Sequence, residues 1–302
     1  MSLTAVILLL IAAFTHASWN FLGKRQHPTA AFFFMANTTG LICLLPMLPH
    51  FWNKIPLISQ SVWIFILISG FLLAVYMISL AGAYRSGDMS IAYPLARSLP
   101  VIIITSATII LGKGHELEWW FIGGVILVMS GCIMLPMKKL SEFSLKNYLN
   151  LCCLLAVLAG VAISGYTMVD SEALRHLREL PGKPFKPVDA ALLYLLLEAL
   201  SASLWTGAYV LCISSERKSL VEVFRFSKAP AVLTGIGIYL TYSLVLTSMN
   251  YVRNVSYVAA FRQLSIPIGA VLGMALLKEQ RYLPKVLGVV IIFMGLLLAG
   301  MG

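Results

Sequence analysis

Long apolar runs, cut by short charged or proline-containing breaks, dominate the chain. They predict membrane-spanning helices near residues 3–22, 29–48, 60–83, 89–112, 117–136, 147–169, 188–213, 229–250, 255–277 and 284–300, most close to the roughly 20 residues a bilayer requires. The first run has no basic residue before it and contains His16 and Asn20, so it reads as a retained helix rather than a signal peptide. The longest polar break, Asp170 to Asp189, holds Arg175, His176, Arg178 and Glu179, with Leu174, Leu177 and Leu180 at helical spacing. That pattern predicts a short helix lying in the membrane interface.

Shifted by 165 positions, residues 97–129 fall on 262–294 with nine identities, among them Arg97/Arg262, Lys113/Lys278 and Gly123/Gly288. Apolar bias supplies aliphatic matches easily, but it does not supply Arg, Lys and Gly pairs in one register. The repeat sets spans four and five on spans nine and ten, so each half holds five helices. An odd number makes the second half enter from the opposite side. The expected fold is an all-α integral membrane protein of about ten transmembrane helices, built as two inverted five-helix repeats, 1–140 and 146–302, in one membrane domain.

Composition agrees: of 302 residues, 60% are hydrophobic and 11% charged, far from the balance of soluble domains. The net charge of +10 would suggest nucleic acid in a soluble protein. Here Lys24, Arg25, Lys138, Lys139, Arg217 and Lys218 sit between apolar runs, where they orient helices and meet headgroups. Cys43, Cys132, Cys152, Cys153 and Cys212 lie within or near spans, so neither disulfide nor metal site is expected. HExxH, GxSxG, P-loop and GxGxxG motifs are missing and the five histidines lack ligand spacing, so no catalytic activity and no cofactor are expected.

The segments HASWN (His16–Asn20), YRSGDMSIAYPLAR (Tyr84–Arg97) and LLKEQRYLPKVLGVVIIFMG (Leu276–Gly295) resemble the drug/metabolite transporter superfamily, in its ten-helix EamA-type members, over essentially the whole chain. Glu279 and the glycine-containing last helix suit that pattern. The first half departs from it, with Gly114 at the position matching Glu279 and the nearest acids at Glu116 and Glu118. The resemblance implies a secondary transporter, monomeric or homodimeric, in the inner (plasma) membrane, with a central cavity between two bundles and alternating access. A flippase of a lipid-linked substrate and an intramembrane enzyme are the alternatives. Lys and Arg are more frequent on the breaks after odd-numbered spans, which places both termini outside, whereas the resemblance implies cytoplasmic termini.

Charges inside spans are costly, so each calls for a partner or a watery cavity. Arg97 and Arg262, matched by the repeat, are expected to face one cavity and bind a carboxylate, phosphate or sulfonate by their fork of donors, which suggests a small anionic or zwitterionic metabolite as substrate. Snorkelling of each arginine to its own surface is the bland alternative. Tyr93 lies one turn before Arg97, and His16 and Asn20, four residues apart, share a helix face. They can meet substrate or simply join helices. Trp19, Tyr166, Trp205, Tyr209 and Tyr239 are candidate lining residues, and Trp119 and Trp120 candidate interface anchors. Glu198, deep in span seven, is the candidate protonatable coupling group, with pairing to a buried arginine as its alternative. Gly269 and Gly273 predict close helix packing.

Overall fold

The structure is a computed structural model and describes residues 3–26, 28–110, 118–141, 145–180, 185–249 and 263–299. It is all-helical within those residues: α1 Leu3–Arg25, α2 Ala30–Leu44, α3 Gln60–Ser86, α4 Met89–Thr108, α5 Trp119–Met134, α6 Leu151–Arg178, α7 Pro187–Cys212, α8 Ser214–Phe226, α9 Lys228–Met249, α10 Ser265–Leu276 and α11 Leu283–Ala299. Among the described residues, six stretches are long and apolar enough to cross a membrane: Leu3–Arg25, Ala30–Leu57, Gln60–Ser86, Met89–Ala107, Leu151–Arg178 and Val188–Cys212. α5, α10 and α11 are shorter apolar helices.

Local signals set several boundaries. Thr29 caps α2 by accepting from the Phe32 amide, and Asn150 caps α6 by accepting from that of Cys153, each satisfying an orphan donor. Pro46 and Pro49 follow α2, which ends at Leu44 and passes into 3-10 turns, because proline removes a helical donor.

One expectation of the fold needs correction. Asp170 does not open a loop or an interfacial helix, since α6 runs unbroken to Arg178. Its outer turns neutralise themselves, Glu172 pairing with Arg175 and His176, and Arg175 with Glu179 at 2.7 Å, so the cluster of charges extends the helix instead of ending it. The break after span seven also holds α8, whose alternation of polar and apolar positions is too short to read as a span.

The packing has a simple exchange relation. α3 packs on α6 as α9 packs on α1; α4 meets α6 as α10 meets α1; α3 meets α7 as α9 meets α2. α2 with α7, α4 with α10 and α5 with α11 pack directly. Exchanging α1–α5 for α6, α7, α9, α10 and α11 maps these contacts onto themselves. α5 and α11 cross antiparallel on glycine: a Cβ at Gly124 would lie 2.6 Å from the Gly295 oxygen, and one at Gly131 2.7 Å from the Gly288 oxygen. Under the exchange, Gly124 takes the role of Gly288. The sequence match, which paired Gly123 with Gly288, is one residue out of register in this helix. Gly269 and Gly273 are close-approach positions too, facing Tyr93 and the Ser90 amide of α4.

Candidate functional site

Between these helices lies a cavity of about 190 Å³. Its wall carries both signs of charge, with Arg97 from α4, Asp170 from α6 and Glu198 from α7. Tyr76 and Tyr166, ring centroids 6.2 Å apart, and Tyr194, Tyr239 and Tyr242 add aromatic faces with hydroxyl tips. Such a lining of apolar area with a few convergent polar groups is the usual form of a small-molecule site.

The two acids are held together by their neighbours. Ser69 Oγ lies 2.5 Å from Asp170 Oδ1 and 3.0 Å from Glu198 Oε1, and Tyr194 OH donates to Asp170 Oδ1 at 2.7 Å. The Ser69 hydroxyl has only one hydrogen to donate, so it cannot donate to both carboxyls at once. Asn37 fixes the adjacent wall, donating to Ser203 Oγ at 2.8 Å and to the Ala199 oxygen at 3.2 Å while accepting from Tyr239 OH at 3.0 Å. Arg97 forms no ion pair with either acid among the described residues, and its Nε is buried without a hydrogen-bond partner there.

The sequence candidates divide. His16, Trp19, Arg97, Tyr166, Glu198 and Tyr239 line the cavity. Tyr93 and Asn20 stand behind that wall, Tyr93 OH hydrogen-bonded to His16 Nδ1 at 2.8 Å and fully buried Asn20 accepting from Tyr84 OH at 2.9 Å. Trp205 lies elsewhere. It is 43% exposed on the outer surface of α7, stacks edge-on with Phe71 and donates to the Leu67 oxygen. Arg262 falls outside the described residues. Asp170, Tyr194, Tyr76 and Asn37 were not anticipated; only the spacing of Tyr166, Asp170 and Leu174, one turn apart each, marked Asp170 as sharing a face with a candidate.

One end of the bundle is tied shut by polar contacts. His16, Asn20 and Lys24 ascend α1 at four-residue steps and reach Tyr93, Tyr84 and the carbonyl oxygens of Tyr84 and Gly87 in turn. Beside them Glu279 accepts from the Met89 and Ser90 amides at 2.6 and 2.9 Å, capping α4 from the α10–α11 turn. Fully buried Lys285 donates to Asp88 Oδ2 at 2.7 Å and to the Gln280 oxygen at 2.8 Å. These contacts explain why a glutamate and a lysine flank the α10–α11 turn: each satisfies charge or amide groups at the start of α4.

No curated protein matches this chain. The family model described as the EamA-like transporter family matches residues 3–137.

Proposed function

We propose that this multi-pass membrane protein, whose residues 3–137 match the model of the EamA-like transporter family, is a secondary carrier that moves a small anionic or zwitterionic metabolite across the inner (plasma) membrane by alternating access. Its two five-helix halves, 1–140 and 146–302, are inverted repeats, a reading supported by the exchange relation of the helix contacts and by the antiparallel glycine crossing of α5 and α11. Such halves rock about a site near the midplane. The observation that carries the reading is the cavity between the halves, with the Arg97 guanidinium in its wall, without an ion-pair partner and with its Nε unsatisfied among the described residues.

In this reading Arg97 binds the negative group of the substrate through its fork of donors. Arg262 is proposed to join it from the second repeat. His16, Trp19 and Tyr166 shape the wall, Tyr93 and Asn20 hold it from behind, and Trp205 takes no part. Glu198, with Asp170 beside it, is the proton-exchanging group that couples transport to a proton gradient. The hydrogen-bonded end described above is then the closed gate, and its contacts break when the carrier turns over.

A thermal-shift screen of the purified protein against small carboxylates, phosphates, sulfonates and amino-acid zwitterions tests this, because a ligand far above its Kd stabilises by RT ln(1 + [L]/Kd). A stabilising compound is expected to show saturable counterflow in proteoliposomes, lost in Arg97→Lys. Counterflow by a stabilising compound that persists unchanged in Arg97→Lys would overturn the assignment of the arginine. Stabilisation only by large lipid-linked compounds would overturn the substrate class.

A further inference from the structure

Helix α8 follows α7 at the closed end of the bundle and presents three different sides. The inner side is docked: Glu216 and Val223 are buried and Leu220 packs with Ala30, Ala31 and Val210. The Glu216 carboxylate accepts from the Ala31 amide at 3.0 Å and from Arg85 Nη1 at 3.2 Å. The second side is apolar and uncovered, with Val221 51% and Phe224 57% exposed, and Phe226, the last residue of the helix, is 81% exposed on the opposite flank of the basic face. The third is basic. Lys218 and Arg225, two turns apart, share a face, Lys228 begins α9 next to it, and Ser227 Oγ donates to Gln26 Oε1 at 3.2 Å, which brings the exposed Arg25 alongside. None of Lys218, Arg225, Lys228 or Arg25 has a hydrogen-bond or ion-pair partner among the described residues, and Glu222 is the acid exposed among them. Arg217 is different, being tied to the Leu211 oxygen and to Ser214 Oγ.

Exposed phenylalanine beside unpaired cations on one short helix is the arrangement that seats in a headgroup layer, apolar side towards acyl chains and cations towards phosphate. Cations near an anionic leaflet are each worth on the order of fivefold in association. We propose that α8, with Lys228 and Arg25, is a docking surface for the anionic headgroups of phospholipids. A lipid seated there presses α8 onto the bundle and keeps Glu216 on the start of α2 and on Arg85, so anionic lipid stabilises the closed end.

The full chain is reconstituted in nanodiscs of phosphatidylcholine, with or without phosphatidylglycerol, and its thermal midpoint measured. Phosphatidylglycerol is expected to raise the midpoint of the native protein, and added salt to diminish the rise. The triple variant Lys218→Gln, Arg225→Gln, Lys228→Gln should lose most of it, whereas Arg178→Gln with Lys186→Gln, at the opposite end, should keep it. Should the triple variant not fold, Lys218→Gln and Arg225→Gln singly should each lose part of the rise, and the phosphatidylglycerol that co-purifies should fall by several-fold. No rise in the native protein, or a full rise in the basic-face variants, overturns the proposal. So does an equal rise from soluble glycerol phosphate in phosphatidylcholine alone, which would make the occupant a free anion.

Discussion

Gly123 and Gly124 are neighbours of identical type, and the structure gives their replacement by alanine opposite signs. A Cβ on Gly124 would stand 2.6 Å from both the Ala299 nitrogen and the Gly295 oxygen, backbone atoms that cannot rotate away. α5 and α11 must then separate. Overpacking of this kind costs about 1–3 kcal/mol, and the small-residue contact that holds membrane helices together is lost along the crossing. Alanine returns about 0.5–1 kcal/mol through its better helix preference, so Gly124→Ala should destabilise by about 1–2 kcal/mol, roughly 5- to 30-fold in the unfolding constant. At Gly123 the nearest atom to the new Cβ is Leu298 Cδ2 at 3.7 Å, an ordinary contact at the end of a flexible side chain. Gly123→Ala should therefore be neutral or stabilising by up to about 1 kcal/mol. Reversible unfolding in mixed micelles, followed by circular dichroism, measures both. Equal destabilisation by the two variants would refute the crossing geometry, and with it the support that crossing lends to inverted halves.

Other outcomes follow from the cavity and from the hydrogen-bonded end of the bundle. Arg97→Lys should weaken substrate binding about tenfold, since a charge-assisted hydrogen bond contributes roughly 1.5–3 kcal/mol and an ammonium lacks the planar fork; equilibrium binding with the screened ligand checks it. Glu198→Gln should abolish pH-driven uptake while preserving counterflow, and Asp170→Asn should do the same if the two carboxyls act as a pair through Ser69; unchanged pH-driven uptake in either removes that residue from coupling. Lys285→Met should destabilise by about 1–3 kcal/mol in the same unfolding assay, because it leaves Asp88 and the Gln280 oxygen without their donor. Trp205→Phe should leave transport unaltered, as that side chain faces outward.

Span periodicity, apolar excess and the 165-residue repeat follow from side-chain chemistry read one position at a time, because lipid imposes length and polarity on each helix separately. The sequence by itself therefore determined that the chain is helical and membrane-embedded, and it placed Arg97, Glu198, Trp19, His16 and Tyr166 among the candidates. It could not weigh contacts between helices distant in the chain. Trp205 and Tyr166 are both aromatic side chains with a polar tip inside apolar runs, and only the packing of α7 on α3 turns the first outward while α6 turns the second inward. Asp170 sat in a run of charges that read as a break until Glu172, Arg175 and Glu179 were seen to neutralise one another on a continuing helix. The choice of Gly124 over Gly123 is of the same kind: both glycines permit close approach, and the partner helix, by where its backbone oxygen lies, decides which one is needed.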